Sequence, residues 1–116
     1  MSESILRDKS KAYGKDIIFL CRKMKQNGIE SALTNQLLRC GTSIGANIHE
    51  AQYAQGTKDF ISKFEISLKE CNESEYWLEL LYETNSISEA DFKKLQKECI
   101  ELRRMLVSSV TTLKNK

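Results

Sequence analysis

The sequence predicts an all-α protein, an antiparallel up-down-up-down four-helix bundle formed as one domain over residues 1–116. Three observations carry that expectation. The chain has no Pro, so nothing forces a break in a long helix. Apolar residues recur at spacings of three and four in four successive stretches. The segments between those stretches are short, and short connections join antiparallel neighbours. No alternating strand pattern or low-complexity segment competes with this reading. Hydrophobic residues at 41% and charged residues at 29% give an ordinary globular balance rather than a disordered one.

Helix 1 is expected over about residues 4–27. Tyr13, Ile17, Leu20, Cys21 and Met24 form its apolar stripe. Late cations suit the negative end of the helix dipole, and Gly28 is placed to take the left-handed conformation that ends a helix. Gly14 lies inside this helix at a cost of about 1 kcal/mol relative to Ala. Either a neighbouring helix comes close there or the glycine is simply tolerated.

Helix 2 is expected over about residues 31–54, with Ser31 as N-cap. Leu33, Leu37, Cys40, Ile44, Ile48 and Ala51 make an apolar seam. Arg39, Ser43, Asn47 and Glu50 run beside it as a polar row, and Gly41, Gly45 and Ala46 supply small residues for close helix packing. Arg39 and Glu50 stand about 16 Å apart along the axis, too far to pair directly. Ser43 and Asn47 bridge them, or each charge finds a partner on another helix or subunit, or the row lines a binding surface. The small residues alongside favour a structural role.

Helix 3 is expected over about residues 57–85, with Thr57 as N-cap and Asp59 in the first turn. Phe60, Phe64, Leu68, Cys71, Leu78 and Leu81 mark its core face. Trp77 flanks that face and, with Tyr76, Glu75 and Glu79, is a candidate subunit interface. The later half is acidic up to the C-terminal turn, where negative charge opposes the dipole and a cationic partner would offset it. Helix 4 is expected over about residues 88–113. Ser88 and Asp91 resemble a capping box, and Ile87 and Phe92 stand at staple positions. Phe92, Leu95, Cys99, Leu102, Leu106, Val110 and Leu113 follow an almost heptad spacing.

Charge is unevenly spread along a chain of net charge +2. Residues 1–27 carry seven basic side chains against three acidic, and residues 87–116 carry seven against four. Residues 57–86 reverse this, with three basic and seven acidic. Such segments suit complementary faces between subunits, or a basic face for nucleic acid.

Catalytic constellations are missing. A di-iron bundle site requires Glu-x-x-His on two helices, but the single His, His49, is preceded three positions earlier by Ala46. His49 has no placed partner for acid–base work and reads as a surface or interface residue. The four Cys fall one per helix on apolar faces, without C-x-x-C spacing, and read as buried thiols. No phosphate-binding glycine loop and no clear recognition helix is present. No catalytic, metal or cofactor residue is therefore assigned. The N-terminal residues lack a signal-peptide core and no apolar run reaches membrane-spanning length, so the expected location is cytoplasmic, with no membrane partner.

Four segments carry a resemblance: Arg39…Thr42-Ser-Ile-Gly-Ala-Asn-Ile-x-Glu-Ala51, Lys58-Asp-Phe-Ile-x-Lys63, Ile66-Ser-Leu-Lys-Glu70 and Glu73-Ser-Glu-Tyr-Trp-Leu-Glu-Leu-Leu81. Their order and spacing resemble the four helix bundle proteins related to those encoded in intervening sequences of bacterial 23S ribosomal RNA genes. The resemblance implies a bundle that assembles as a homopentameric ring. A structurally similar bundle protein of diversity-generating retroelements binds nucleic acid and a reverse transcriptase. By extension, this chain is expected to be a non-enzymatic interaction or scaffold protein. RNA or DNA would contact basic helices 1 and 4 through Lys9, Lys11, Lys15, Arg22, Lys23, Lys93, Lys97, Arg103 and Arg104. The alternative is an adaptor for a protein partner such as a reverse transcriptase. An enzyme using the Arg39–Glu50 row is a more remote reading. Arg39, Ser43, Asn47 and Glu50 fall on family-motif positions to which the resemblance attaches no established role.

Overall fold

The computed structural model describes the backbone of residues 2–116 and the side chains of residues 4–116. Among these residues the secondary structure is four helices and no strand: α1 (Ser2–Gln26), α2 (Ser31–Ala51), α3 (Thr57–Glu83) and α4 (Glu89–Lys114). Each helix packs on two others: α1 on α2 and α4, and α3 on α2 and α4. The bundle is 48 Å long and 21 by 20 Å across, two helices wide in each short direction.

Two helix ends follow from one device. Gly28 takes a φ of 77°, while Ile29 N–H bonds to Met24 O and Gly28 N–H to Lys25 O. Asn85 takes a φ of 59° at the end of α3, and Ser86 N–H and Asn85 N–H bond to Leu81 O and Tyr82 O. Both are Schellman closures, satisfying carbonyls that the helix leaves open. The second draws α3 to a stop two residues before the expected boundary. α2 stops three residues early for a different reason. The N–H groups of Gln52, Tyr53 and Ala54 bond three residues back, to His49, Glu50 and Ala51, tightening the chain out of α-helical geometry.

The helix starts divide. Ser88 caps α4 as expected, its Oγ accepting from Asp91 N–H at 3.1 Å. Ser31 and Thr57 are not caps. Glu30 and Gly56 occupy those positions without a side-chain cap bond, and Asp59 instead accepts from Gln55 N–H at 3.2 Å. Gly56 has a φ of 153°, which a side chain would resist.

Tyr13, Ile17, Met24, Leu37, Ile44, Ile48, Phe64, Leu78, Leu102 and Leu106 fill the core, and all four thiols are buried with them. Polar groups inside the core are satisfied. The Tyr13 and Ser74 hydroxyls lie 2.6 Å apart, and Ser67 Oγ donates to Ile44 O at 2.8 Å. The α1–α2 contact is close at two glycines. A Cβ at Gly41 would lie 2.9 Å from both γ-carbons of Ile17, and one at Gly45 would lie 3.3 Å from Ser10 O. Gly14 is different: a Cβ there would meet nothing within 4 Å, so its absence makes no room for a helix of this chain.

Candidate functional site

The polar row of α2 splits into separate interactions. Arg39 reaches two carboxylates one turn apart on α3, with Nη1 3.1 Å from Glu70 Oε2 and Nη2 2.7 Å from Glu73 Oε2. The Glu73 hydrogen bond and the Glu70 charge hold the Arg39 guanidinium above its usual pKa. Glu50, at the other end, lies 3.7 Å from Lys63 on α3. The middle is satisfied by its own helix: Ser43 Oγ donates to Arg39 O at 2.7 Å, and Asn47 Nδ2 donates to Ser43 O at 2.9 Å. Ser43 and Asn47 therefore do not bridge Arg39 to Glu50, because each bonds to the carbonyl one turn behind it. The row holds α2 to α3 at two points and gathers no reactive cluster.

The basic residues expected to share a contact face divide among surfaces. Lys9 pairs with Glu101 of α4, Lys23 lies 3.1 Å from Asp91, and Lys94 lies 3.5 Å from Asp16. The α1–α4 face is thus a ladder of opposite charges. Its acidic members respond accordingly: hydrogen bonding to Lys9 holds Glu101 below the usual carboxylate pKa, whereas burial and the nearby Asp16 carboxylate push Glu98 up. Lys93 pairs with Glu89 one turn back at 2.8 Å, and Arg103 pairs with Glu75 of α3. Lys11, Lys15, Arg22, Lys97 and Arg104 are exposed and have no ion-pair partner among the described residues.

The α3 residues considered for a subunit interface are also separated. Trp77 is half-buried against the core and Tyr76 is exposed, their rings 5.3 Å apart edge to face. Glu75 is engaged by Arg103, while Glu79 is exposed.

A feature that helix-by-helix reading missed lies between α1 and α2. It is an open groove of about 590 Å³, with Arg7, Lys11 and Lys15 on one wall and His49 on the other. Gly14, Gly45 and Ala46 are among its lining residues. The four-residue spacing of Arg7, Lys11 and Lys15 was visible in the sequence, but the facing wall depends on how α2 docks.

Three of the four buried thiols are poor nucleophiles, whereas hydrogen bonding with Cys71 holds the fourth, Cys99, below its usual pKa. Burial pushes Cys21 to about 11 and Cys40 to about 12, and the adjoining Cys99 thiol together with burial pushes Cys71 further up. Among the described residues, no three or more His, Cys, Asp and Glu side chains are grouped to hold a metal ion. No helix among them is long and apolar enough to cross a membrane.

Comparison with known proteins gives the relationship directly. The family model described as 23S rRNA-intervening sequence protein matches residues 2–108. A crystal structure from Bacteroides thetaiotaomicron, of a protein of unknown function from the S23 ribosomal protein family, is 40% identical with a TM-score of 0.92. The match covers 96% of this chain and 99% of that one. No curated protein matches the chain. The family match spans nearly all of the four helices, and the chain belongs to the 23S rRNA-intervening sequence protein family.

Proposed function

We propose that this protein is a non-enzymatic, cytoplasmic interaction protein that assembles as a homo-oligomer and binds nucleic acid. The observation that carries the nucleic-acid reading is the set of exposed cations Lys11, Lys15, Arg22, Lys97 and Arg104, unpaired among the described residues. An ion-paired lysine has already lost much of its net attraction for phosphate, whereas an unpaired one retains it. Lys9, Lys23, Lys93 and Arg103 are correspondingly weaker contacts. The helices are read as running up-down-up-down, which the cross-helix pairs support. Lys9 and Lys23 meet Glu101 and Asp91 in reverse order along α4, and Arg39 and Glu50 meet Glu73 and Lys63 in reverse order along α3.

Homo-oligomerisation, with a pentamer as the expected form, draws on charge layout and on the exposed Tyr76 and Glu79 of α3. Head-to-tail contact between unlike faces closes into a ring when the rotation permits. Light scattering is expected to give five times the 13.3 kDa of one chain. A clean monomer at micromolar concentration would remove this part of the proposal. Fluorescence anisotropy with labelled RNA and DNA is expected to show binding that weakens steeply with salt. Absence of binding at low salt by folded protein would defeat the nucleic-acid reading.

A second reading, an adaptor for a protein partner, is favoured by Phe19. This ring is 61% exposed beside Asp16, Lys23, Asp91 and Lys94, an apolar anchor inside a charged rim. That reading predicts loss of partner capture by Phe19→Ser with nucleic-acid affinity unchanged.

A further inference from the structure

We infer that the α1–α2 groove seats the sugar–phosphate backbone of a nucleic-acid strand, with Arg7, Lys11 and Lys15 contacting successive phosphates. This rests on the nucleic-acid reading above and gives it a location distinct from the α1–α4 face. The three cations recur every four residues on α1, placing their Cα atoms about 6 Å apart along the axis. That interval matches the scale of a phosphodiester repeat. None of the three has a carboxylate partner among the side chains described, from Ser4 onward, and Arg7 donates to Ser4 Oγ at 3.0 Å. Among the side chains described, from Ser4 onward, Asp8 is the one carboxylate lining the groove, against three cations. The electrostatic preference is therefore for an anion.

The opposite wall adds recognition groups. His49 is exposed on α2, with its ring 5.6 Å from that of Tyr53. His49 thus brings an imidazole to the groove wall, backed by the exposed Tyr53 ring, where a base or sugar attached to a seated phosphate would lie. Gly14 supplies an independent structural argument. It lies inside α1, where glycine costs about 1 kcal/mol, and a Cβ there would meet nothing of this chain. The missing side chain serves no internal packing and leaves the groove floor open between Lys11 and Lys15. A long side chain at this position would occupy the space a backbone needs, without altering a single charge.

The competing occupant is a second copy of the chain, whose acidic α3 surface would also suit three cations. The test separates the two. Anisotropy titrations use a labelled single-stranded RNA of 30 nucleotides and the wild type, the R7Q/K11Q/K15Q variant, the G14M variant, and a charge-matched variant changing the exposed Lys25, Lys58 and Lys69 to Gln. The groove variant is expected to lose affinity at least about tenfold and to reduce the salt-dependence slope by about two, whereas the charge-matched variant is not. G14M is expected to lose affinity with helicity and oligomer mass unchanged. If the wild type binds and both groove variants bind equally well, the groove assignment is overturned while the nucleic-acid reading stands. If the wild type does not bind at low salt, both are overturned. If G14M instead dissociates the oligomer, the groove is a subunit interface and the assignment is overturned in favour of a second copy.

Discussion

Tyr13 of α1 and Ser74 of α3 join hydroxyls at 2.6 Å inside the core, although the backbones of α1 and α3 do not approach each other. Both residues have no exposed surface. The bond therefore ties diagonal helices through the centre of the bundle. A buried hydroxyl deprived of its partner carries a desolvation penalty of about 1–3 kcal/mol. Ser74→Ala, which strands the phenol, is expected to destabilise by that order in urea unfolding. Tyr13→Phe is expected to cost less, because Ser74 can turn to a carbonyl on its own helix. The double variant is expected to cost less than the two single changes added together. Strict additivity would show that the two hydroxyls are energetically independent.

Alkali is expected to weaken the fold. Burial holds Tyr13 well above 10.0, and it raises Cys21 and Cys40 from 9.0 to about 11 and 12. The unfolded chain thus releases these protons at lower pH than the folded one. Their contribution is complete below about pH 9 and falls away as pH rises through the folded values. Urea midpoints should decline from pH 9 to 11. A Cys40→Ala variant should be less stable than wild type at pH 7, with the gap narrowing by pH 11. A constant gap would exclude Cys40 from the alkaline loss.

Arg39 is expected to matter more for Glu70 than for Glu73. The Glu70 side chain is only 10% exposed and the Glu73 side chain 35%. Arg39→Leu leaves a largely buried carboxylate without its cation, at a cost of about 1–3 kcal/mol. Glu73→Gln removes a more exposed partner and should cost less than about 1 kcal/mol. Restoring stability to R39L by adding Glu70→Leu would identify the stranded charge as the cause. No restoration would place the loss in Arg39 packing instead.

Two glycines in contacting helices should respond in opposite directions. Gly14→Ala relieves a helix penalty without meeting another atom, and is expected to stabilise by up to about 1 kcal/mol. Gly41→Ala places a methyl 2.9 Å from the stiff, buried Ile17 side chain. The overpacking cost of about 1–3 kcal/mol exceeds the helix gain, so a net loss is expected. Thermal unfolding of the two variants beside wild type checks the signs.

The legible parts of this structure were those written into local sequence. Periodic apolar spacing located the four helices, because a residue's face on a helix follows from its position alone. Gly28 and Ser88 were readable as end signals because each acts on its own few residues of backbone. Ser31 and Thr57 were misleading because the same residue type also serves as an ordinary first helical residue, and the chain entry angle decides which role it takes. Asn85 was missed as a left-handed closure because asparagine tolerates that conformation without requiring it.

The candidate site was legible in composition but not in arrangement. The sequence by itself determined an all-α chain with four amphipathic helices, buried thiols and cations concentrated at its two ends. It also placed Arg39, Ser43, Asn47 and Glu50 along one helical row. Only the tertiary structure decided that Lys9 is neutralised by Glu101 while Lys11 and Lys15 face α2, and that Arg39 belongs to Glu70 and Glu73. The physical reason is that helical periodicity is local, whereas an ion pair or a groove depends on the rotation and axial register of two helices. Those are fixed by contacts such as Gly41 on Ile17 and Gly45 on Ser10, between residues far apart in the chain.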